Sequence, residues 1–376
     1  MRVTIVMGFF LPMPPVAGGA TEKSWQLLSR ALVKLGHEVT VISRNWPSWK
    51  SDETIDGVRY LRLPGHNHRR SLALNIVNDV RWSRRVLRSL PKADVTISNA
   101  VTLPRWLGRN PNAGRVFVMP GRMPKGQFRW YGRVDRVLAV SRAIESAVLQ
   151  ENPELTSKIV RFGYPVADAC FAASRPVTTR PITIGYVGRI HPEKGLDLLA
   201  DAAAALNRVT GLPPWRMLLC GPADIPRGGG GSQYVSELQR KFIAAVGAER
   251  VEFRSPVFQE AELAHVYSEI DVFCYPSLAS RGETFGLAVA EAMATGAVPV
   301  VSRLPCFADF VTAGENGETF AHDSTDAAAD LAGNLARLIG DAARRKEFSA
   351  LAREAIKRYD VNVLSLQLSA EFSSLK

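Results

Sequence analysis

The chain has 376 residues, 46% of them hydrophobic and 22% charged, with a formal net charge of +11 at neutral pH. That length exceeds what one hydrophobic core serves, and the balance excludes a disordered, collagen-like or coiled-coil chain, so two folded domains are expected. Outside the first strand no apolar run approaches the roughly 18 residues of a membrane span, so none is expected.

The first twenty residues, MRVTIVMGFFLPMPPVAGGA, carry a basic residue before an apolar stretch but include three prolines. We read Val3 to Met7 as a buried strand rather than the core of a signal peptide, because a glycine loop and an amphipathic helix follow directly. That helix, from about Thr21 to Leu35, sets Trp25, Leu28, Leu32 and Leu35 on one side and ends at Gly36, before a second strand in HEVTVIS. The unit is βαβ. Further strands are expected at 57–63, 94–98, 115–119, 136–140 and 158–162, an alternation that implies a parallel sheet flanked by helices.

After FGYPVADACFAASRPVTTRP, which has no clear period, the pattern restarts with strands at 182–188, 215–221, 250–255, 271–277 and 298–302. A second doubly wound α/β domain is therefore expected, with ligands beyond the carboxyl ends of its strands and a cleft where two such domains face each other. RGGGGS at 227–232 reads as a flexible surface loop, since no GKS or GKT ending makes it a phosphate loop. From about Asp326 the chain is expected to be helical.

The charge is uneven: residues 1–175 hold 27 Lys and Arg against 12 Asp and Glu, and the remainder holds 20 against 24. The basic half carries Arg81, Arg84, Arg85 and Arg88, then Arg122, Lys125, Arg129, Arg133 and Arg136 with Phe128, Trp130 and Tyr131 between them. Such a surface suits anionic lipid headgroups or an acidic acceptor; nucleic acid is not expected, because no binding motif accompanies the charge. Cys170, Cys220, Cys274 and Cys306 are isolated and lack metal-ligand spacing, which fits a reducing cytoplasm.

Two loops of the second half carry the chemistry. In GETFGLAVAEAMATGAVPVVS, Glu283 precedes and Glu291 lies within a helix expected to start near Thr284, with seven residues between them. The helix N-terminus favours an anion, and Gly286 permits its close approach. Two carboxylates on either side of such a site suit a nucleotide diphosphate sugar: hydroxyls at both ends, phosphate in the middle. In VGRIHPEKGLDLL, Gly188 ends a strand, and Arg189 and Lys194 supply the cations that a diphosphate leaving group needs. In the first half, Gly18 and Gly19 end the loop after the first strand and allow a ligand near the backbone.

Together the GGATE loop, GRIHPEKG, the LLCG strand end and the GETFG segment resemble the GT-B glycosyltransferases, and within them the retaining glycosyltransferase family 4, also called glycosyl transferases group 1. The resemblance covers nearly the whole chain. It implies two Rossmann-like domains around a central cleft: residues 1–165 on the acceptor side, a linker at 166–181, a donor domain at 182–355, and a C-terminal helix at 356–376 returning to the first domain. It implies that Arg189 and Lys194 hold the donor diphosphate, Glu283 the transferred sugar, the amides from Thr284 and Phe285 through Gly286 to Leu287 the phosphates, and Glu291 the ribose hydroxyls. Gly18, Gly19, Gly188 and Gly221 would line the donor, and Arg122, Lys125 and Arg129 are acceptor-side candidates. The donor is expected to be a UDP or GDP sugar, and the acceptor a hydroxyl on a lipid-linked or envelope glycan at an anionic membrane surface. The chain contains no Asp-x-Asp, in keeping with an enzyme that uses neither metal nor cofactor.

Two departures stand out. Many members have a histidine after the strand equivalent to RVFVM, where this chain reads Met119-Pro120-Gly121-Arg122, and Ser255-Pro256 replaces a usual glycine. A non-catalytic nucleotide-sugar-binding subunit or a GT-B-like epimerase is the alternative reading; a nicotinamide enzyme is disfavoured because neither first-strand loop has G-x-G-x-x-G.

Overall fold

The structure is a computed structural model that describes all residues except 17, 68, 70, 174–179, 281 and 375–376. Two compact units divide it, Met1–Pro165 with Val361–Lys376, and Val166–Asp360.

The first unit is built on an eight-stranded sheet of β1 (Arg2–Val6), β2 (Glu38–Arg44), β3 (Asp52–Ile55), β4 (Val58–Leu63), β5 (Val95–Ser98), β6 (Arg115–Val118), β7 (Arg136–Ala139) and β8 (Ile159–Arg161), in the order β3-β4-β2-β1-β5-β6-β7-β8. All neighbours are parallel except β3 and β4. The central strands β1 and β5 are Val and Ile runs with both faces covered, as a sheet between helix layers requires. Helices α1 (Ala20–Lys34), α2 (Leu72–Ser89), α3 (Pro104–Leu107) and α4 (Arg142–Glu151) connect the strands.

The antiparallel β3 is an addition to the sequence reading. It is short, polar and half exposed, so it lacks the apolar signature of its neighbours. It returns through Asp56-Gly57, both at positive φ (52° and 78°), which is the two-residue turn that matches the twist of a hairpin.

The second unit holds a six-stranded parallel sheet of β9 (Ile182–Val187), β10 (Trp215–Cys220), β11 (Val251–Arg254), β12 (Val272–Tyr275), β13 (Val298–Ser302) and β14 (Glu318–Phe320), ordered β11-β10-β9-β12-β13-β14. From β9 the chain winds outward through β10 and β11, then returns to start the other half at β12. The switch point therefore lies between β9 and β12, where the loops leaving two adjacent strands diverge and open a site. Helices α5 (Asp168–Ala172), α6 (Leu196–Leu206), α7 (Gly231–Val246), α8 (Glu260–Ser268), α9 (Leu287–Ala294), α10 (Ala327–Gly340) and α11 (Ala342–Ile356) complete this unit.

Of the segment read as a linker, Val166 and Cys170 are buried in the second unit, where Val166 pairs with Asp360 and donates its N–H to Tyr359; residues 174–179 lie outside the described residues. The last helix, α12 (Val361–Ser374), belongs to the first unit. Its Ser369 hydroxyl bonds His37 Nε2 at 2.9 Å, its Glu371 bonds Arg136 at 2.9 Å, and Phe372 packs edge-on against His37 and Phe117. His37 is thus a packing residue. The four cysteines are buried and form no disulfide. Among the described residues no helix is long and apolar enough to cross a membrane.

Candidate functional site

The two loops at the switch point of the second unit meet. After β9, Gly188, Arg189 and Ile190 lead to a short 3-10 turn, Pro192–Lys194, whose first N–H, on Glu193, is capped by His191 Nδ1 at 3.2 Å. His191 therefore acts as a structural acceptor. The turn lowers Lys194 into the unit, where its ammonium bonds the carboxylate of Glu283 and lies 5.5 Å from the centre of the Tyr275 ring. Glu283 also accepts a hydrogen bond from Ser277 Oγ at 2.9 Å.

Arg189 is held one turn earlier. Its Nη2 bonds Glu193 Oε1 at 2.5 Å and its Nη1 bonds the carbonyl of Gly228 at 2.7 Å. Burial alone would raise the pKa of Glu193, but Arg189 and Lys194 on either side turn the net shift downward. Glu193 is thus an anion set between the two cations, and the bonds Arg189–Glu193–Lys194–Glu283 form one continuous chain of charges.

RGGGGS is not a loose surface loop. Gly230 donates to the carbonyl of Ile190 at 2.8 Å, Gly231 donates to Ala223 at 2.8 Å, and Gly228 seats Arg189. A Cβ on Gly229 would stand 2.1 Å from the carbonyl carbon of Ala223, so the backbones touch there. The run of glycines is needed for this close packing, and it sets the N-terminus of α7 beside the Arg189 loop.

Gly188 and Gly221 end β9 and β10 and also touch: a Cβ on Gly221 would lie 1.9 Å from the Gly188 carbonyl oxygen. The floor of the site is therefore bare backbone.

Helix α9 begins at Leu287, not near Thr284. Gly286, at φ 93°, breaks the helical path, and the first intrahelical bonds run from Val289 and Ala290 to the Gly286 carbonyl. Leu287 and Ala288 thus present the first-turn amides. Phe285 turns inward, packing on Phe310 and Tyr359 at 5.2 and 5.0 Å, and anchors the loop rather than lining it. Glu291 is buried inside α9, where Tyr267 donates a 3.0 Å hydrogen bond to it. The rings of Tyr267, Phe273 and Tyr275 continue from there to Lys194.

In the first unit Gly18 and Gly19 (φ 80° and 106°) precede α1. Behind them sits a carboxylate that sequence reasoning misses: Glu22, 6% exposed, with burial pushing its pKa up to about 7 against weaker opposing pulls from a backbone hydrogen bond and then from Arg122. A Cβ on Gly19 would stand 2.1 Å from Glu22 Oε2. Thr21 Oγ1 bonds the Tyr164 hydroxyl at 2.9 Å, and Gly121, in the segment that lacks the family histidine, packs against both. Of the acceptor-side candidates, Arg122 lies over the Phe10 ring at 5.2 Å, the backbone N–H of Lys125 bonds Gln127 at 2.7 Å, and Arg129 is exposed in the 3-10 turn Gln127–Trp130.

Residues 181–341 match the family described as Glycosyl transferases group 1. The second unit belongs to that family. The chain is also similar to curated proteins. The chain is 32% identical over 196 residues to the lipopolysaccharide core biosynthesis mannosyltransferase LpsB of Rhizobium meliloti, covering 51% of each. It is 29% identical over 195 residues to the phosphatidyl-myo-inositol mannosyltransferase of Mycobacterium tuberculosis, covering 51% of this chain and 47% of that one. The match thus spans about half the length of these relatives. Among solved structures, sucrose-phosphate synthase from Thermosynechococcus elongatus superposes with a TM-score of 0.78 at 19% identity, covering 100% of this chain and 98% of that one. Anabaena Alr3699/HepE in complex with UDP and glucose does so at 0.74 and 18%, covering all of both chains. At these identities the likeness is one of fold, and that fold is GT-B.

Proposed function

We propose that this chain is a glycosyltransferase that moves a sugar from a nucleotide diphosphate sugar to a hydroxyl acceptor, with retention at the anomeric carbon and without a metal ion. The observation that carries this reading is the joining of Arg189, Lys194 and Glu283 at the switch point of a glycosyl transferases group 1 unit. Arg189 and Lys194 meet the diphosphate, exchanging part of their bonding to Glu193 and Glu283 for phosphate oxygens, and stabilise the charge that grows as the sugar–oxygen bond breaks. The amides of Leu287 and Ala288 add the helix dipole to that charge. Glu283, at the edge of the cation cluster, accepts a sugar hydroxyl, and Glu291 the ribose hydroxyls.

In the reacting step the anomeric carbon leaves the phosphate oxygen and bonds the acceptor oxygen on the same face, while the acceptor's proton passes to the departing phosphate. No histidine is needed at Met119-Pro120-Gly121-Arg122.

A UDP or GDP sugar is the proposed donor, supported by the neighbour in complex with UDP and by the mannosyltransferase relatives. A lipid-linked or envelope glycan is the proposed acceptor, supported by relatives named for lipopolysaccharide core biosynthesis and for phosphatidyl-myo-inositol, and by the basic first half. The protein would then act in the cytoplasm, on a membrane face that presents this acceptor.

A thermal-shift panel of UDP, GDP, ADP and dTDP sugars tests the donor, because a ligand of the folded state raises its melting temperature. Slow hydrolysis of the stabilising donor, lost in Glu283→Ala, supports transfer. Stabilisation without turnover would favour a binding subunit, and an isomerised sugar an epimerase.

A further inference from the structure

The first two turns of α2 are inside out. Their polar residues Asn75, Asn78 and Asp79 are buried, while Leu72, Leu74, Ile76 and Val77 face solvent, with 60%, 55%, 46% and 45% of their surface exposed. Asn75 and Asp79 have their partners within the unit. Asn75 bonds both the N–H and the carbonyl of Arg69, at 2.8 and 2.6 Å, and Asp79 accepts from the N–H and hydroxyl of Thr102, each at 2.6 Å. This orientation is therefore fixed by the fold. An amphipathic helix of a soluble domain ordinarily turns its apolar stripe inward, so a stripe turned outward by satisfied polar anchors indicates an apolar partner outside the chain.

Charge identifies the partner. Along the same outer stripe the helix changes from apolar to basic: Ala73, Val77 and Val80 are followed by Arg81, Arg84 and Arg88, the arginines beginning about 6 Å beyond Val77 along the axis. The single acid of α2, Asp79, is the buried one, so its exposed face carries no negative charge. Asp79 also accepts from the N–H of Val101, which is itself exposed and whose carbonyl accepts from the Tyr131 hydroxyl; next to Tyr131, Trp130 is 63% exposed beneath the guanidinium of Arg105, 5.1 Å from its ring. Exposed apolar side chains and arginines carried by one helix match a bilayer of anionic lipid, which offers acyl chains and phosphates together. A second copy docking through its own α2 would bring to this face only more apolar side chains and arginines, with no exposed acid to pair.

We propose that α2 is a membrane-docking helix: Leu72, Leu74, Ile76 and Val77 enter the interface of an anionic bilayer while Arg81, Arg84 and Arg88 bind its phosphates. This deepens the reading of a membrane-presented acceptor, and its test uses lipid alone, so it fails or succeeds independently of sugar transfer.

The full chain is sedimented with vesicles of phosphatidylcholine and of phosphatidylcholine mixed with phosphatidylglycerol. The expected result is binding to the anionic vesicles alone, weakened by salt, and at least about tenfold weaker in Leu74→Glu/Val77→Glu and in Arg81→Glu/Arg84→Glu. Because these side chains are exposed, both variants should melt with wild type and keep its donor-induced thermal shift. The milder Leu74→Ser/Val77→Ser replaces the first if that variant unfolds. Failure of wild type to pellet with anionic vesicles at low salt overturns the proposal. So does pelleting of the Leu74/Val77 variants equal to wild type, or a concentration-dependent dimer of wild type that the same variants abolish.

Discussion

Lys194 and Glu283, 89 positions apart in sequence, bond to each other with both side chains more than nine-tenths buried. A buried pair is held in place by the cost of leaving either charge alone. Removing one partner strands the other in a medium that solvates it poorly, at about 3–5 kcal/mol, whereas replacing both by apolar groups is often nearly neutral. Glu283→Ala and Lys194→Ala should each destabilise the second unit by that amount, and Lys194→Met/Glu283→Leu should recover most of it. None of the three should retain donor hydrolysis. Urea unfolding alongside turnover separates the effects: if the double variant is as unstable as the singles, the pair is not the source of the loss.

Glu291 makes a different kind of contact. The hydroxyl of Tyr267 that bonds its Oε2 is a neutral donor, so this bond leaves the carboxylate's charge in place to attract further hydroxyls. A hydrogen bond to a charged group contributes about 1.5–3 kcal/mol, hence Glu291→Gln should weaken binding of the donor nucleotide roughly tenfold to a hundredfold. Tyr267→Phe should weaken it by no more than about threefold, because the carboxylate stays. Calorimetric titration of the nucleotide that scores in the thermal-shift panel checks both, and equal losses in the two variants would assign the effect to packing.

The strands and loops are legible in the sequence to different degrees, for physical reasons. Runs such as ITIGYV and VPVVS announce strands because a sheet covered on both faces needs continuous apolar residues, and β9 and β13 lie on those runs. DETI gives no such signal, being polar and half exposed at an edge. Arg189, Lys194 and Glu283 stand out because cations after a strand and a carboxylate before a helix form a local pattern. Their partners Ser277 and Glu193 do not, and neither does Tyr267, the partner of Glu291: all three look ordinary until tertiary packing brings them to these carboxylates and cations. RGGGGS misleads because a glycine run fits a loose loop and a close backbone contact equally well, and only the nearness of Ala223 and Ile190 separates the two. Glu22 is hidden in the same way, as one acid at the start of an amphipathic helix whose burial no pattern of spacing reveals.

Gly221 tests whether the bare floor of the site is required. Its missing Cβ would fall 1.9 Å from the carbonyl oxygen of Gly188, a backbone atom that cannot rotate aside. Gly221→Ala must therefore push the β9 and β10 loops apart, with an overpacking cost of about 1–3 kcal/mol. Since Arg189 follows Gly188 directly, donor binding should fall by more than stability does. Gly211→Ala is the control, as a Cβ there meets nothing within 4 Å and any loss is limited to its positive φ of 80°. A Gly221→Ala protein that binds nucleotide as wild type would show that the two loops need not touch.

Glu22 should make the first unit less stable as pH rises. Burial raises its pKa in the folded protein to about 7 from an ordinary value of 4.5, so between those values the folded state holds a proton that the unfolded chain has released. Stability from this group is complete below about pH 4.5 and is lost as pH climbs through 7, when the buried carboxyl must ionise. The full drop is on the order of 3 kcal/mol, since each pH unit separating the folded and unfolded pKa values is equivalent to about 1.4 kcal/mol. Glu22→Gln has no such proton to lose. Its unfolding free energy, measured in urea, should equal or fall below that of wild type near pH 4.5 and exceed it at about pH 8. Because every other titrating group is common to both proteins, their difference isolates this carboxyl, and a difference that stays constant across the window would mean that Glu22 ionises freely where it sits.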